Sequence, residues 1–252
     1  MVASGNDFIV VKNLTGNLRK IAKDLCAPKF GIGADGLLVL DHFRNHQLRM
    51  RIFNADGSQA QMCGNGARCA ALFSGFKKLK IETLAGVLNG QVNGDQVKIQ
   101  LTNPKNLKLD LALKLLSQPL RVNFINTGVP HAVILVEGLS ALDVENLGRL
   151  IRNHRIFAPQ GTNVNFVEPL TGDSICIRTY ERGVEGETLA CGTGSTAAAL
   201  VWALKNNLQD KVKVRTQSGE ILEVSFRRQG DKFENVWLKG SAKIVYKGEC
   251  YV

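Results

Sequence analysis

The sequence predicts an α+β protein of two pseudo-symmetric domains, each a mostly antiparallel β-sheet or barrel wrapped around a central helix. Three observations predict it. One segment occurs twice: Cys63-Gly64-Asn65-Gly66-Ala67-Arg68-Cys69-Ala70-Ala71-Leu72 and Cys191-Gly192-Thr193-Gly194-Ser195-Thr196-Ala197-Ala198-Ala199-Leu200 share C-G-x-G-x-x-x-A-A-L, six identities in ten positions. The likeness continues downstream, where Lys80-Ile81-Glu82-Thr83-Leu84-Ala85-Gly86 parallels Lys213-Val214-Arg215-Thr216-Gln217-Ser218-Gly219. Each copy is also flanked by many short strand-like segments rather than by alternating strand and helix units. A duplication of this length implies two similar halves packed about a pseudo-dyad, with two equivalent cysteines opposite one another. The repeat sets the boundary near residue 112, giving domains 1–112 and 113–242, with the segment 243–252 returning to the first.

The elements follow in order. A short strand at Phe8–Lys12 is succeeded by a helix capped by Asn17, whose apolar positions Leu18, Ile21, Ala22 and Leu25 keep helical spacing until Pro28 ends it. Gly31-Ile32-Gly33-Ala34-Asp35-Gly36 spells G-x-G-x-x-G but lacks the preceding strand and following helix of a dinucleotide fingerprint, so it reads as a turn into the strand Leu37–Leu40. Leu48, Met50 and Ile52 alternate with polar residues as a half-buried strand. Ala67–Phe76 reads as a buried small-residue helix, and strands are expected at Lys80–Thr83, Val87–Val92 and Gln96–Leu101. Asn103-Pro104 and the Lys/Leu segment to Leu116 read as the boundary between halves. The second half repeats the plan with strands at Leu120–Asn126, Ala132–Val136, Asn163–Val167 and Ile175–Tyr180, helices at Asp143–Arg152 and Ser195–Leu204, and four closing strands.

Composition narrows the function. At 252 residues, 44% apolar and 21% charged, the chain can build a real core. Its longest apolar run, Ala197–Leu204, is too short to cross a bilayer, and Met1–Asp7 does not resemble a secretory signal, so a cytoplasmic protein is expected, without a membrane partner. Six cysteines with no C-x-x-C pair, and four histidines out of zinc-ligand spacing, argue against disulfides and metal; Cys26 and Cys176 read as small core residues. The net charge of +10 is scattered and not interleaved with aromatics, which argues for a solvated surface rather than nucleic-acid binding.

The duplicated cysteines carry the chemistry. Each lies where a strand gives way to glycines and a helix. The unsatisfied N–H groups there bind anions and favour a thiolate, and Gly64, Gly66, Gly192 and Gly194 let a ligand approach the backbone. Two such helix starts would hold one carboxylate with a sulfur on each side of the adjoining carbon. One sulfur can then remove the α-proton while the other returns a proton to the opposite face, which is racemisation or epimerisation without a cofactor.

With these residues the chain resembles the diaminopimelate epimerase family. The likeness rests on Gly5-Asn6-Asp7, Arg51-Ile52-Phe53-Asn54-Ala55-Asp56-Gly57-Ser58, Met62–Arg68, Gly128 with Pro130-His131, Thr162-Asn163-Val164-Asn165, and Tyr180-Glu181-Arg182-Gly183 through Gly194. Asn65 separates it from the related proline racemases, which are expected to carry histidine there. The resemblance implies the diaminopimelate epimerase-like fold, interconversion of LL- and meso-diaminopimelate for lysine and peptidoglycan precursor synthesis, a small-molecule substrate, and no cofactor. By it, Cys63 and Cys191 are the acid/base pair. Gly64, Asn65, Gly192 and Thr193 offer N–H groups to the reacting carboxylate. Asn6, Asn54, Asn163 and Arg182 grip the substrate, Glu181 binds its ammonium, and Glu181 with His131 tunes the thiols. A homodimer is the candidate assembly.

The chain departs from the family where Gly36 replaces a glutamine and Val129 an asparagine found in some members, each removing a candidate substrate contact. Only Met1 to Ser4 precede Gly5-Asn6-Asp7, where the family has a strand. A racemase of the same fold acting on another amino acid is the near alternative. A Cys63/His131 hydrolase leaves Cys191 unexplained, and a nucleic-acid binder leaves the repeat unexplained.

Overall fold

Leu37-Leu38-Val39-Leu40 shows no polar alternation, and all four residues are fully buried. A strand without a wet face needs cover on both sides. The computed structural model, which describes residues 1–115 and 118–251, shows how that cover is made. The chain divides into two units, Met1–Gln100 with Lys239–Val252, and Leu101–Leu238.

The first unit runs β1 (Val2–Ala3), β2 (Asn6–Lys12), α1 (Leu18–Cys26), β3 (Gly36–Arg44), β4 (Gln47–Asn54), β5 (Gln59–Ala60), α2 (Gly64–Ser74), β6 (Lys78–Thr83), β7 (Gly86–Asn93) and β8 (Gln96–Gln100). Pairing gives the order β1-β2-β3-β4-β6-β7-β8, with β5 also on β4; β2–β3 and β4–β6 are parallel and the rest antiparallel. α2 touches β1 to β4 and β6 to β8, so the sheet curls round it. Leu38 and Ile52 meet α2 at Gly66, where an added Cβ would lie 3.1 Å from Leu38 Cδ2. Leu37, Val39 and Phe53 point the other way and pack on Leu18, Ala22, Leu25 and Cys26 of α1. Period-two alternation along β3 therefore serves two helices, one inside the sheet and one outside. Each fully buried leucine contributes roughly 1.5–3 kcal/mol to this arrangement.

The second unit repeats the plan. It comprises β9 (Lys105–Leu115), β10 (Gln118–Asn126), β11 (Pro130–Leu135), α3 (Val144–Arg152), β12 (Asn163–Pro169), β13 (Ser174–Glu181), β14 (Gly186–Thr188), α4 (Gly192–Lys205), β15 (Lys211–Arg215), β16 (Ile221–Gln229) and β17 (Lys232–Ser241), the last running on into the first unit. Its order is β9-β10-β11-β12-β13-β15-β16 with β14 on β13, and again only β11–β12 and β13–β15 are parallel. α4 touches β10 to β13, β15 and β16, while α3 covers the outer face through Val144 and Ile151 against Phe166 and Tyr180. α4 is buried along most of its length, from Gly194 through Val201 without a break, as a helix enclosed by a sheet must be.

Several elements differ from expectation. Both inner helices begin earlier, at Gly64 and Gly192 rather than Ala67 and Ser195, because each cysteine is itself the N-cap and first-turn N–H groups need no intrahelical partner. The Lys/Leu segment is not a plain linker. Its residues 105–115 form β9, paired with β10 from Leu115–Gln118 to Lys105–Asn126, and Leu116 lies outside the described residues. Among the described residues three strands, not four, follow α4. Met1 to Ser4 do supply a strand: Ser4 and Gly5, with φ of 50° and 84°, make a tight turn that pairs β1 with β2. Lys243 exchanges backbone hydrogen bonds with Val2 at 2.9 Å in both directions.

Candidate active site

In the first unit Cys63 is the N-cap of α2 in extended conformation, and its Sγ accepts the Gly66 N–H at 3.5 Å. Gly64 and Asn65 form the first turn, which carries no acidic residue to offset the positive end of the helix. Asn65 is buried. Its Nδ2 donates to Asn6 Oδ1 at 2.6 Å, and its Oδ1 accepts from the Arg68 guanidinium at 3.0 Å. Asn6 Nδ2 donates to Asp35 Oδ2 at 2.9 Å. Asn54, at the end of β4, stays within its own turn, donating to Ser58 Oγ at 2.9 Å. Cys26 differs from Cys63 in kind: burial, with the charges of Asp7 and Asp35, pushes its thiol to about 11.

In the second unit Cys191 caps α4 from a position only 7% exposed, with Thr193 Oγ1 3.5 Å from its Sγ. Glu181 reaches the Cys191 thiol and also accepts from Thr188 Oγ1 at 3.1 Å. Burial raises this carboxyl above the usual range, and the hydrogen bonds from Thr188 and Cys191 only partly oppose that. Thr127 Oγ1 donates to the Thr193 carbonyl at 2.9 Å and pins the first turn of α4. Gly194 has no alternative, because a Cβ there would collide with Asn165 Oδ1.

Asn165 also settles His131. The Ala132 carbonyl can only accept, so Asn165 turns its Nδ2 there, at 2.9 Å, and the same Nδ2 donates to His131 Nδ1 at 3.1 Å while the Asn165 Oδ1 accepts from Thr179 at 3.1 Å. The His131 proton therefore sits on Nε2, which is buried with no hydrogen-bond partner among the described residues. Burial, and secondarily the Arg182 charge, depress this imidazole to about 3, leaving it neutral. Asn163 accepts the Arg182 N–H at 2.9 Å and donates to the Pro130 carbonyl at 3.0 Å, tying the loop after β13 to the start of β11. The Arg182 guanidinium reaches the Gln160 carbonyl at 3.2 Å.

The comparisons with known proteins agree with this fold. The family model described as diaminopimelate epimerase matches residues 1–107 and 123–245. The chain belongs to the diaminopimelate epimerase family. A diaminopimelate epimerase of Aquifex aeolicus is 44% identical, over 97% of this chain and 94% of its own. One of Methanocella arvoryzae is 40% identical over 100% of this chain and 95% of its own. Among solved structures, a Bacillus anthracis phenazine biosynthesis protein superposes with a TM-score of 0.71 at 18% identity, over 96% of this chain and 92% of that one. A probable proline racemase of Agrobacterium radiobacter superposes at 0.70 and 15%, over 98% and 92%. At such identities these two show a shared fold.

In this member of the diaminopimelate epimerase family the duplicated cysteine segments lie where the structure gathers polar groups. The first unit brings Cys63, Gly64, Asn65 and Asn6 together, and the second brings Cys191, Gly192, Thr193 and Glu181 together, with Asn163 and Arg182 mutually bonded nearby in sequence. Sequence reasoning missed Arg68, Asp35 and Asn165. Arg68 carried a signal, being the one charged residue in an otherwise small and apolar helix; Asp35 and Asn165 gave none that spacing could expose.

Proposed function

We propose that this chain interconverts LL- and meso-2,6-diaminopimelate by a two-base mechanism, in which one cysteine removes the α-proton and the other supplies a proton to the opposite face, without a cofactor. A thiolate at Cys63 takes the α-proton: the C–H bond breaks, its electron pair stays on the substrate, and an S–H bond forms. The Cys191 S–H then gives its proton to the opposite face of that carbon, inverting it. In the reverse direction the two sulfurs exchange roles. Backbone N–H groups of Gly64, Asn65, Gly192 and Thr193 stabilise the carboxylate as negative charge grows on it. Asn6, Asn54, Asn163 and Arg182 hold the remainder of the substrate. Glu181 accepts hydrogen bonds from the substrate ammonium and tunes the Cys191 thiol, taking that thiol's proton when Cys191 serves as the base. His131 enters as a neutral ring with its proton on Nε2.

The observation that carries this reading is the equivalence of Cys63 and Cys191 as N-caps of the two sheet-enclosed helices. The names of the full-length relatives support the substrate; a place in lysine and peptidoglycan precursor synthesis in the cytoplasm is what the family resemblance implies. No helix among the described residues is long and apolar enough to cross a membrane.

Proton NMR of LL-diaminopimelate with the reduced enzyme in D2O tests the proposal. Deuterium should enter the α-position as the meso isomer forms, and Cys63→Ser or Cys191→Ser should each lower turnover about 10³-fold. Full epimerisation by either variant defeats it. One observation favours a second reading, in which the substrate is another amino acid. Gly36 has no room for a side chain, since a Cβ would lie 2.8 Å from the Phe53 carbonyl oxygen, so the candidate substrate contact that the resemblance implies at this position is not available. Comparing turnover of diaminopimelate, glutamate and proline separates the two.

A further inference from the structure

Four polar side chains of the first unit form one chain of hydrogen bonds whose two ends carry opposite charge. Arg68 lies in α2, fully buried, and an arginine can only donate. Its guanidinium donates to Asn65 Oδ1 at 3.0 Å, so Asn65 must turn its Nδ2 toward Asn6 Oδ1, at 2.6 Å. Asn6 must then turn its own Nδ2 toward Asp35, whose carboxylate oxygen can only accept, at 2.9 Å. Neither asparagine can flip without setting two donors or two acceptors face to face. Arg68 also donates to Ser4 Oγ and, at 3.3 Å, to the Ser241 carbonyl. Ser4 is the non-glycine residue at φ 50° in the turn that delivers Asn6. Asp35 is tied in turn to Asp7, its N–H donating to Asp7 Oδ1 at 3.0 Å while Asp7 N–H donates back to Asp35 Oδ2 at 3.2 Å. The exposed end of the chain is thus held as firmly as the buried one.

We propose that Arg68 and Asp35 are positioning residues that lock the Asn6 and Asn65 side-chain amides in one orientation, leaving one Nδ2–H of each to receive a carboxylate of the substrate. The inference rests on the epimerase reading above for the identity of that carboxylate, but the lock itself is a property of the ground-state structure. A buried cation on an inner helix is costly unless its donors are used. Here they fix a site rather than a fold: the equivalent residue of the second inner helix is Thr196, whose hydroxyl simply bonds the Gly192 carbonyl at 2.9 Å. The second unit does without the cation because the residue matching Asn65 there is Thr193, which has no amide to orient.

The test uses the full chain with Arg68→Met, Arg68→Lys, Asp35→Ala and the double variant Arg68→Met/Asp35→Ala. Steady-state rates on LL-diaminopimelate are read beside hydrogen exchange of the asparagine side-chain amides in ¹⁵N-labelled protein. Asp35→Ala, a change at an exposed position, should raise KM about tenfold, the loss of one charge-assisted hydrogen bond. Arg68→Met should do the same, Arg68→Lys should recover part of the affinity, and the double variant should cost less than the product of the singles because both act through one chain. A role in folding alone would lower the active fraction, and with it kcat, and leave KM where it was. The Asn65 and Asn6 amides should exchange slowly in the wild type and faster in Arg68→Met and Asp35→Ala respectively. An unchanged KM in Asp35→Ala, or amide exchange indifferent to both substitutions, overturns the lock. Absence of turnover in the wild type, with the exchange pattern intact, would instead condemn the diaminopimelate reading and leave the lock standing.

Discussion

At the start of α2 the Gly66 N–H donates to Cys63 Sγ across 3.5 Å, and the turn leans on a buried cation, Arg68. At the start of α4, Cys191 makes no such cap bond, and its thiol lies instead against Thr193 and the carboxyl of Glu181. The backbone is the same in both places: strand, short hairpin strand, cysteine, two glycines, helix, parallel strand. The difference is in what surrounds the sulfur. The Cys63 sulfur accepts one N–H, which suits a thiolate, and the Cys191 sulfur lies beside a carboxylate acceptor, which suits a thiol. The two copies of this helix start thus differ in the side chains around the sulfur. Epimerisation needs one sulfur with a proton and one without at the moment of reaction, and reversal exchanges which is which; unequal surroundings bias that choice.

Glu181→Gln gives the sharpest test of this contrast. Glutamine keeps the shape and loses the proton acceptor, so kcat should fall about 10²-fold in both directions. Stability should move the other way. Burial raises the Glu181 carboxyl in the folded protein, so folding favours its protonated form. The stabilisation this brings is fully present below the unfolded carboxyl value and is lost as pH rises through the raised folded value. Glutamine never ionises, and Tm of the variant should therefore exceed that of the wild type by an increasing margin across that window and level off above it. Full activity in the Glu181→Gln variant, or lower stability at neutral pH than at acid pH relative to wild type, would break the comparison.

The second test is gentler. Cys63 is half-buried and receives an N–H, whereas Cys191 is 7% exposed and reaches Glu181. In reduced protein, iodoacetamide should label Cys63 about tenfold faster than Cys191, as read by peptide mapping, because both access and thiolate character favour it. Equal labelling would mean that the two surroundings do not distinguish the sulfurs.

How much of this was legible beforehand follows the reach of each signal. The repeat made the two inner helices and their cysteine caps readable, because glycine and alanine leave few other ways to pack a helix inside a sheet. The outer helices were readable from Asn17 and Asp143 with their apolar stripes. Strand β9 was missed because its faces are largely exposed, so the Lys/Leu segment lacked the clean alternation of a half-buried strand. Short strands such as β5 and β14, two and three residues long, have too few positions to show any period. The chain of bonds from Arg68 to Asp35 joins side chains far apart in sequence and exists only through folding, so no spacing rule exposes it.

The smallest effect concerns the caps themselves, and sets the outer helices against the inner ones. Asn17 and Asp143 accept the N–H groups of Lys20 at 3.2 Å and Asn146 at 3.1 Å, as residues chosen for stability do. Replacing Asn17 by alanine should cost about 1 kcal/mol and leave kcat/KM as it was. Asp143→Ala should destabilise as well, but with a pH signature: its hydrogen bonds from Asn146 hold the carboxyl below its ordinary value, so the stability is present above the unfolded value and fades as pH falls through the folded one. The inner helices should respond in the opposite sense. Serine is a stronger N-cap than cysteine, so Cys63→Ser should keep or raise Tm while abolishing turnover. Thermal melts of these variants at neutral and acid pH would show it. If Cys63→Ser lost as much stability as Asn17→Ala, then cysteine at the head of α2 would be there to cap the helix, and the division between caps that hold the fold and caps that carry protons would fall.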